Sequence, residues 1–366
     1  MIAPRRTELG HPIFVVGYMH SGTTLLLKIL GRHSTVFAGG GETKFFECLP
    51  MIRHAYPDLA NDETLRRYVA FVLGIVERGF RMDPAAAQGD TNGRATLDDG
   101  QFAELFAQAQ RQRDYTAIFR LASDHLARLA GKGRWLEKTP THVLQIDQII
   151  DSVPGALFVE IVRDPRDVLA SKKTRRASVW ASDRFAPEQR SFKHLEKAYD
   201  PLWDSLSWKS AVRAGHGAQR RHAGRVFSLR YEDLVAAPEQ HVRAVCEFLG
   251  LEFEPGMLQV AARNSAERGE VTGEGIAADA VGRWRRTLTP AETALCQSLL
   301  KAELDRLEYA RVDTDLAARA RMPALAAKSL FEFSQRLSRR WRMGGTIYSL
   351  NVLGVYWKRL LKLVHN

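Results

Sequence analysis

The chain has 366 residues, and its hydrophobic content of 45% is enough to bury a substantial core in one large domain, with or without an appendage. Three widely separated cysteines without close histidine partners argue against a disulfide framework and a zinc site, and they favour a reducing compartment. The net charge is +11, but most of it lies after residue 320, so the remainder is nearly balanced and nucleic acid is not expected as a partner.

Apolar runs and helical periodicity alternate along the chain. Strands are predicted at residues 13–16, 134–137, 156–162 and 226–229. Helices are predicted at residues 24–30, 65–78, 102–112, 117–129 and 238–249. This order implies an α/β domain with a doubly wound, mostly parallel sheet flanked by helices. We place this domain at residues 1–312 and a basic, amphipathic helical extension at residues 313–366.

Neither a secretory signal nor a membrane span is expected from the sequence. The first predicted strand begins within a dozen residues of the N-terminus, which leaves no room for a secretory signal. No run approaches the roughly 18 consecutive apolar residues of a membrane span. These features predict a cytoplasmic protein.

The segment from Gly17 to Thr24, Gly-Tyr-Met-His-Ser-Gly-Thr-Thr, has the form of a phosphate-binding loop. It lies between a predicted strand and a predicted helix, where backbone N–H groups and the helix N-terminus converge on an anion. In nucleotide hydrolases this loop reads G-x-x-x-x-G-K-[ST], and its lysine reaches the β- and γ-phosphates. Here Thr23 replaces that lysine. The loop therefore predicts a fold like that of the P-loop nucleotide hydrolases, with a phosphate ligand that is not a triphosphate tail.

A second candidate anion site follows the predicted strand at residues 156–162. Arg163 stands at the carboxyl end of that strand, where open α/β sheets bind ligands, and Pro165 begins a helix that carries Ser171. An arginine fork and a hydroxyl suit a phosphate monoester. The alternative is that the charged residues within 163–167 form a surface ion-pair cluster. The upstream loop favours the first interpretation, because two anion sites at strand ends imply a ligand with two separate phosphates.

Four segments resemble motifs of the sulfotransferase family, whose members use 3′-phosphoadenosine 5′-phosphosulfate. The segment His20-Ser-Gly-Thr-Thr-Leu-Leu26 is similar to the 5′-phosphosulfate loop, and Val162-Arg-Asp-Pro-Arg-Asp through Ser171 is similar to the 3′-phosphate motif. The other two segments are Leu229-Arg-Tyr-Glu-Asp-Leu234 and Gly282-Arg-Trp-Arg285. They occur in family order, and the resemblance covers roughly residues 10–310. Residues 39–44 and 135–140 look closest to the tyrosylprotein and glycan sulfotransferases, in the style of the bacterial proteins.

The resemblance implies transfer of a sulfuryl group from this donor to an acceptor hydroxyl, by in-line displacement and without a metal. The acceptor would be a glycan, a lipid-linked sugar or another alcohol or phenol. The resemblance also explains the missing loop lysine, because the donor has no β- and γ-phosphate pair. The implied donor-binding residues are Ser21, Gly22, Thr23 and Thr24 at the 5′-phosphate, Arg163 and Ser171 at the 3′-phosphate, Gly282, Arg283 and Trp284 beside it, and Tyr231 at the nucleotide.

The chain departs from the family pattern at His20, where the family usually has Lys or Arg. That position normally supplies a cation near the bridging oxygen as negative charge develops on the leaving group. A histidine beside a phosphosulfate is expected to hold a proton and act in the same way, because neighbouring anions raise its pKa. In the alternative, His20 is only a loop hydrogen-bonder and Lys138 carries the positive charge. We favour a functional His20.

The acceptor hydroxyl needs a base unless it is already acidic. Glu42 is the candidate, by resemblance to the glutamate in the G-x-E-[ST]-[RK] segment of tyrosylprotein sulfotransferases, and the preceding glycines would bring its backbone close to the donor. The alternative is that Glu42 caps a helix that begins near Thr43. Lys138 lies at a strand end, where it would stabilise the transferring group or bind acceptor. The alternative, a surface pair with Glu137, is disfavoured because adjacent residues in a strand face opposite ways. His142 is a second candidate base.

The C-terminal segment from Arg321 onward contains nine Lys or Arg and one Glu, while residues 343–357 are uncharged. That uncharged stretch is too short to span a bilayer. Basic residues on both sides of aromatic and aliphatic ones are typical of an interfacial segment, here residues 336–363 at the inner membrane face. The other interpretation, which we favour, is a helix that packs on the domain or forms a homodimer contact.

Two other functions remain open. A P-loop kinase or nucleotide hydrolase would share the loop, but the loop of this chain lacks the lysine that such an enzyme uses. A magnesium requirement would identify an enzyme of this kind. A non-catalytic nucleotide-binding protein anchored through its tail is favoured only by His20. A Glu42→Ala variant that binds nucleotide normally and has lost turnover would exclude that second function.

Overall fold

One sheet of five parallel strands forms the centre of the protein. The computed structural model describes residues 10–80, 97–180, 199–260, 280–335 and 338. In chain order the strands are β1 (Ile13–Gly17), β2 (Val36–Ala38), β3 (Arg134–Lys138), β4 (Leu157–Val162) and β5 (Val226–Arg230). Their order across the sheet is β2-β3-β1-β4-β5, and each neighbouring pair is parallel. The predicted parallel sheet is confirmed.

Strand β2 is the one strand that the sequence pattern does not predict. It has only three residues, which is too short for a periodicity signal. It forms at the edge of the sheet by pairing with β3, where Val36 lies opposite Arg134 and Ala38 opposite Leu136.

Helices cover both faces of the sheet. They are α1 (Thr23–Leu30), α2 (Phe45–Ala55), α3 (Asp62–Arg78), α4 (Asp99–Gln112), α5 (Tyr115–Leu129), α6 (Ile146–Ser152), α7 (Pro165–Trp180), α8 (Pro201–Arg221), α9 (Tyr231–Ala236), α10 (Pro238–Leu249), α11 (Trp284–Thr287), α12 (Pro290–Leu299), α13 (Lys301–Arg306) and α14 (residues 316–335). Short 3₁₀ segments cover Pro140–Gln145 and Pro255–Leu258. The five predicted helices are all present.

Helices α3, α4 and α5 begin two or three residues before their predicted starts. The side chains of Asn61, Asp98 and Asp114 accept hydrogen bonds from the first-turn N–H groups of these helices. A first turn stabilised by a polar cap does not need apolar residues, so the hydrophobic periodicity starts late.

The strands bury apolar side chains on both faces of the sheet, as a doubly wound fold requires. Phe14 and Val16 of β1 lie in one core cluster, with Phe158 of β4. Ile13 and Val15 of β1 lie in the other cluster, which packs under α1 and α10. Because alternate residues of a strand face opposite sides, the continuous apolar run of β1 supplies both cores.

The strand order places a crevice between the carboxyl ends of β1 and β4. These two strands are neighbours, but the chain leaves β1 toward β2 on one side and leaves β4 toward β5 on the other. Such a reversal separates the two connections and leaves space at the carboxyl ends, where open α/β sheets bind ligands. Both predicted anion-binding segments follow these two strands.

Helix α14 shows where the described part of the C-terminal extension lies. Ala318 and Ser329 on one side of it are buried, and the Phe333 ring centroid lies 4.7 Å from that of Trp203 on α8. This helix therefore packs on the domain. Residues 336–363, the predicted membrane segment, lie outside the described residues except for residue 338. Among the described helices, none has both the length and the apolar content needed to cross a bilayer.

A buried carboxyl lies in the middle of β4. Glu160 is 2% exposed and its Oε2 accepts a 2.7 Å hydrogen bond from the Ser228 hydroxyl on β5. Gly215 on α8 leaves space for it, since a Cβ there would lie 2.0 Å from Glu160 Oε1. Burial raises the pKa of Glu160 to about 7, against the opposing effect of the Ser228 hydrogen bond.

The raised pKa predicts that stability falls as pH increases. The folded state keeps a proton that the unfolded state releases near its ordinary pKa of about 4.3, so this favourable contribution is complete below that pH. It is lost as pH rises through about 7. We expect Glu160→Gln to be more stable than the parent at about pH 8, by at most about 4 kcal/mol, and to lose most of this advantage near pH 5.

Thermal denaturation followed by circular dichroism at the two pH values would measure this difference. Glu239→Gln is the control, because that glutamate is exposed on α10, where it pairs with Arg243. A pH-independent difference between Glu160→Gln and the parent would contradict the protonated state of Glu160.

Candidate active site

The loop between β1 and α1 has the geometry of an anion cradle. Gly22 precedes α1 with φ of 103°, and no side chain caps this end of the helix. A Cβ at Gly22 would lie 2.5 Å from Cδ2 of the Tyr231 ring, so both the backbone angle and the close approach require glycine. The first N–H groups of α1 are therefore left to a ligand or to solvent.

The side chains of this loop add hydroxyl donors. Ser21 and Thr23 are buried, and Thr24 is half-buried. The Ser21 hydroxyl is buried without a hydrogen-bond partner in the structure described. A buried polar group without a partner is costly, and a phosphate oxygen would supply the missing acceptor.

Contacts from distant parts of the chain hold the loop in place. The Tyr18 hydroxyl donates to Asp204 Oδ1 on α8 at 3.2 Å. His20 has φ of 67°, its carbonyl accepts from Arg163 Nη1 at 3.2 Å, and its Nδ1 lies 3.1 Å from the Ser171 hydroxyl. The loop and the second predicted anion site are therefore in direct contact.

Arg163 is buried beside this loop. Its Nη2 donates to the Ala280 carbonyl at 2.5 Å, and its guanidinium carbon lies 4.4 Å from the centroid of the Tyr231 ring. Its Nε is buried without a hydrogen-bond partner among the described residues. Tyr231, predicted at the nucleotide, is buried between Gly22 and Arg163 and packs against both predicted anion-binding segments.

The other charged residues of this motif are buried as well, so the alternative of a surface ion-pair cluster is wrong. Asp164 and Arg166 pair at 2.7 Å, and Arg166 lies 4.3 Å from the Trp284 ring centroid. Asp167 accepts hydrogen bonds from the backbone N–H groups of Gly282 and Trp284, at 2.7 and 2.9 Å. Burial raises the pKa of Asp167, although the Arg163 guanidinium and these N–H groups oppose that effect.

The two remaining motifs are attached to the same point. Glu232, which follows Tyr231, accepts from the Asp164 backbone N–H and from the Tyr309 hydroxyl, both at 2.9 Å. Burial raises the pKa of Glu232. Arg283 is half-buried, and it lies in the sequence between Gly282 and Trp284, whose backbone N–H groups donate to Asp167. All four motifs that carry the family resemblance therefore meet at the N-terminus of α7.

A second group of predicted residues meets at the carboxyl end of β3. Lys138 Nζ lies 2.8 Å from Glu42 Oε1, with 7% of the lysine side chain and 37% of the glutamate side chain exposed. Lys138 is paired with Val15 of β1, two residues before the loop begins. Helix α2 begins at Phe45 and has no side-chain cap, so Glu42 does not cap it. The carboxylate and the ammonium group form one pair at the carboxyl edge of the sheet.

Glu137 lies on the opposite face of β3 and holds the segment that carries Glu42. It accepts hydrogen bonds from the hydroxyls of Thr43 at 2.8 Å and Thr139 at 2.5 Å, and its Oε2 lies 3.0 Å from His142 Nδ1. Burial alone would raise the pKa of Glu137, but the His142 charge and these hydrogen bonds lower it overall. The role of Glu137 in holding this segment was not predicted, although the alternation of side chains along a strand indicates that Glu137 faces inward.

One expectation near Glu42 is wrong: His142 is fully buried on Glu137 and packs against Phe46, so it does not face an acceptor as a base. The glycines before Glu42 allow close approach to the end of α3, because a Cβ at Gly40 would lie 1.9 Å from the Glu77 carbonyl oxygen. Among the described residues, no group of three or more His, Cys, Asp or Glu is arranged to hold a metal ion.

Comparison with known proteins identifies the family. The sequence profile described as "Sulfotransferase family" matches residues 12–255, about two thirds of the chain. Carbohydrate sulfotransferase 1 of Danio rerio is 27% identical over 168 residues, 43% of this chain and 39% of that protein. Omega-hydroxy-beta-dihydromenaquinone-9 sulfotransferase Stf3 of Mycobacterium bovis is 26% identical over 267 residues, 66% of this chain and 64% of that protein.

A solved sulfotransferase domain from the curacin biosynthetic pathway is 18% identical, with a TM-score of 0.47, and the match covers 83% of this chain and all of that domain. The chain spans less than two thirds of the length of the two curated relatives. The family assignment depends on the profile, which covers β1 to α10 and three of the four motifs. The chain belongs to the sulfotransferase family.

Proposed function

We propose that the protein transfers a sulfuryl group from 3′-phosphoadenosine 5′-phosphosulfate to a hydroxyl of an acceptor. The observation that carries this proposal is the direct contact of two anion-binding segments, through His20 with Ser171 and through Arg163 with the His20 carbonyl. A ligand that satisfies both segments needs two separate phosphate groups. This donor has them at the 3′ and 5′ positions of one nucleoside, whereas ATP has a single phosphate chain.

Two unpaired buried atoms support the fit of this donor. The Ser21 hydroxyl and Arg163 Nε are buried without a hydrogen-bond partner in the structure described, and each such atom costs about 1–3 kcal/mol. In the proposed complex, Ser21, Gly22, Thr23 and Thr24 bind the 5′-phosphate, and Arg163 and Ser171 bind the 3′-phosphate. Gly282, Arg283 and Trp284 complete the 3′ side, and Tyr231 holds the two segments together.

The residues at the end of β3 suit the transfer step. In this step the acceptor oxygen forms a bond to sulfur while the bond from sulfur to the 5′-phosphate oxygen breaks, and the acceptor proton passes to a base. Glu42 is the proposed base, because its carboxylate is partly exposed at the ligand-binding edge of the sheet. Lys138 and His20 are the proposed cations that stabilise the negative charge of the transition state.

The acceptor belongs, in this proposal, to the class of hydroxyl-bearing molecules. The two curated relatives are named for a carbohydrate and for an omega-hydroxy menaquinone, and both names describe hydroxyl-bearing compounds. A glycan, a lipid-linked sugar and another alcohol or phenol are therefore the acceptors to screen.

Donor binding tests the first part of the proposal. Calorimetric titration with 3′-phosphoadenosine 5′-phosphate is expected to show tight binding that 5′-AMP and Mg-ATP do not reproduce. Arg163→Ala should weaken it about 10- to 100-fold, because a charged hydrogen bond is worth about 1.5–3 kcal/mol. Ser171→Ala should weaken it about threefold to tenfold, because it removes a neutral hydrogen bond.

Arg243→Ala is the matched control, since that arginine is exposed on α10 and pairs with Glu239. Equal or better binding of Mg-ATP that is indifferent to Arg163 would overturn the proposal in favour of a kinase or nucleotide hydrolase.

The role of Glu42 is tested by turnover with a radiolabelled sulfuryl group in the acceptor screen. Glu42→Gln should lower kcat about 10²- to 10⁴-fold, because it removes the base, and should leave donor binding unchanged. Glu47→Gln on α2 is the control, because its carboxylate accepts from the Thr141 hydroxyl whereas that of Glu42 pairs with Lys138. Retained turnover in Glu42→Gln would exclude this carboxylate as the base.

The identity of the leaving-group cation is tested at His20. His20→Ala should lower the single-turnover transfer rate about 100-fold, and His20→Lys should restore it, because either a protonated imidazole or an ammonium group supplies the charge. If His20→Ala stays within a few-fold of the parent while Lys138→Ala loses activity, Lys138 is the cation and His20 only a loop hydrogen-bonder.

A further inference from the structure

Helix α14 has one side that packs on the domain and one that does not. On the inward side, Ala318 is 2% exposed and Ser329 is 4% exposed, and Phe333 stacks near Trp203 of α8. Residues 322, 325, 326 and 332 on the same side are half-buried. This spacing of three and four residues is one continuous helical face. The contacts of this helix with the domain, among the described residues, lie on this inward face.

The outward side of α14 is apolar where a surface helix is normally polar. Leu316, Leu330 and Phe331 are 82%, 60% and 64% exposed, and they are three of the five exposed large hydrophobic side chains among the described residues. Ala320, Ala324 and Ala327 are also exposed along this helix. A continuous apolar face along a surface helix marks an interaction surface, whereas single exposed leucines do not.

Positive charge surrounds this apolar face. Arg319, Arg321 and Lys328 are exposed on α14, and the one acid after Arg321, Glu332, lies 3.8 Å from Lys328. The sequence that follows residue 335 contains seven more Lys or Arg and no acid, on both sides of the uncharged residues 343–357. Eight of the eleven net positive charges of the chain therefore lie from Arg321 onward.

We propose that the outward face of α14 binds an anionic membrane surface. Exposed Leu and Phe enter the boundary between head groups and acyl chains, and Lys and Arg beside them are attracted to anionic lipids. A second copy of the chain suits this face less well, because a symmetric contact would bring two strongly positive segments together.

Vesicle co-sedimentation of the full chain tests the proposal. The protein should bind vesicles of phosphatidylcholine mixed with phosphatidylglycerol, and binding should decrease as salt increases. Vesicles of phosphatidylcholine alone should bind it much less. The double variant Leu330→Ser with Phe331→Ser should bind the mixed vesicles at least about tenfold more weakly. Leu129→Ser, which changes another exposed leucine at the end of α5, should bind like the parent.

Each other result overturns the proposal. Equal binding to neutral vesicles, or binding that is insensitive to salt, would show that electrostatic attraction to anionic lipids does not contribute to binding. If the protein does not bind vesicles but light scattering shows dimers, and the double variant is monomeric, the face binds a second copy of the chain. Absence of vesicle binding by a monomer would assign it to the C-terminal segment of the same chain. Titration with 3′-phosphoadenosine 5′-phosphate should be unchanged in the double variant, so failure here is distinguishable from failure of the proposed function.

Discussion

Buried charge at the N-terminus of α7 is the constraint on which the site depends. Arg163, Asp164, Arg166 and Asp167 are all less than 9% exposed, and a buried charge without a partner costs several kcal/mol. Asp164 and Arg166 pair with each other, Arg163 donates to the His20 carbonyl in the loop after β1, and Asp167 accepts from the N–H groups of residues 282 and 284. Compensation of these charges therefore fixes the positions of segments that are far apart in the sequence, and it does so at the crevice that the strand order creates.

The end of β3 shows how strand geometry divides two tasks between adjacent residues. Glu137 faces inward and is held by the hydroxyls of Thr43 and Thr139, whereas Lys138 faces the ligand-binding edge and pairs with Glu42. The inward residue thus fixes the segment that presents the outward carboxylate. The segment is also attached at Glu42 itself, because the Glu42 carbonyl accepts a 2.7 Å hydrogen bond from the Phe80 backbone N–H. A carboxylate proposed as a base gains its position from this support.

Much of the fold follows from local pattern. Four strands and five helices are predictable because their apolar periodicity is long enough to recognise, whereas β2 has three residues and is defined only by its pairing with β3. The errors at the site have one physical origin. His142 was expected to face an acceptor, but it is buried on Glu137, and the inward support from Glu137 was not predicted. Burial depends on neighbours that a local pattern does not contain.

The sequence by itself determined the strand, loop and helix at the first anion site, the replacement of the usual lysine by Thr23, and the order of four family motifs. These are local features, set by residue type and spacing. Only the tertiary structure decided which residues meet. His20 and Ser171 are 151 positions apart, and Lys138 and Glu42 are 96 apart. Their contacts arise because the order of the parallel strands brings these carboxyl ends to one edge of the sheet, and strand order is a property of long-range packing.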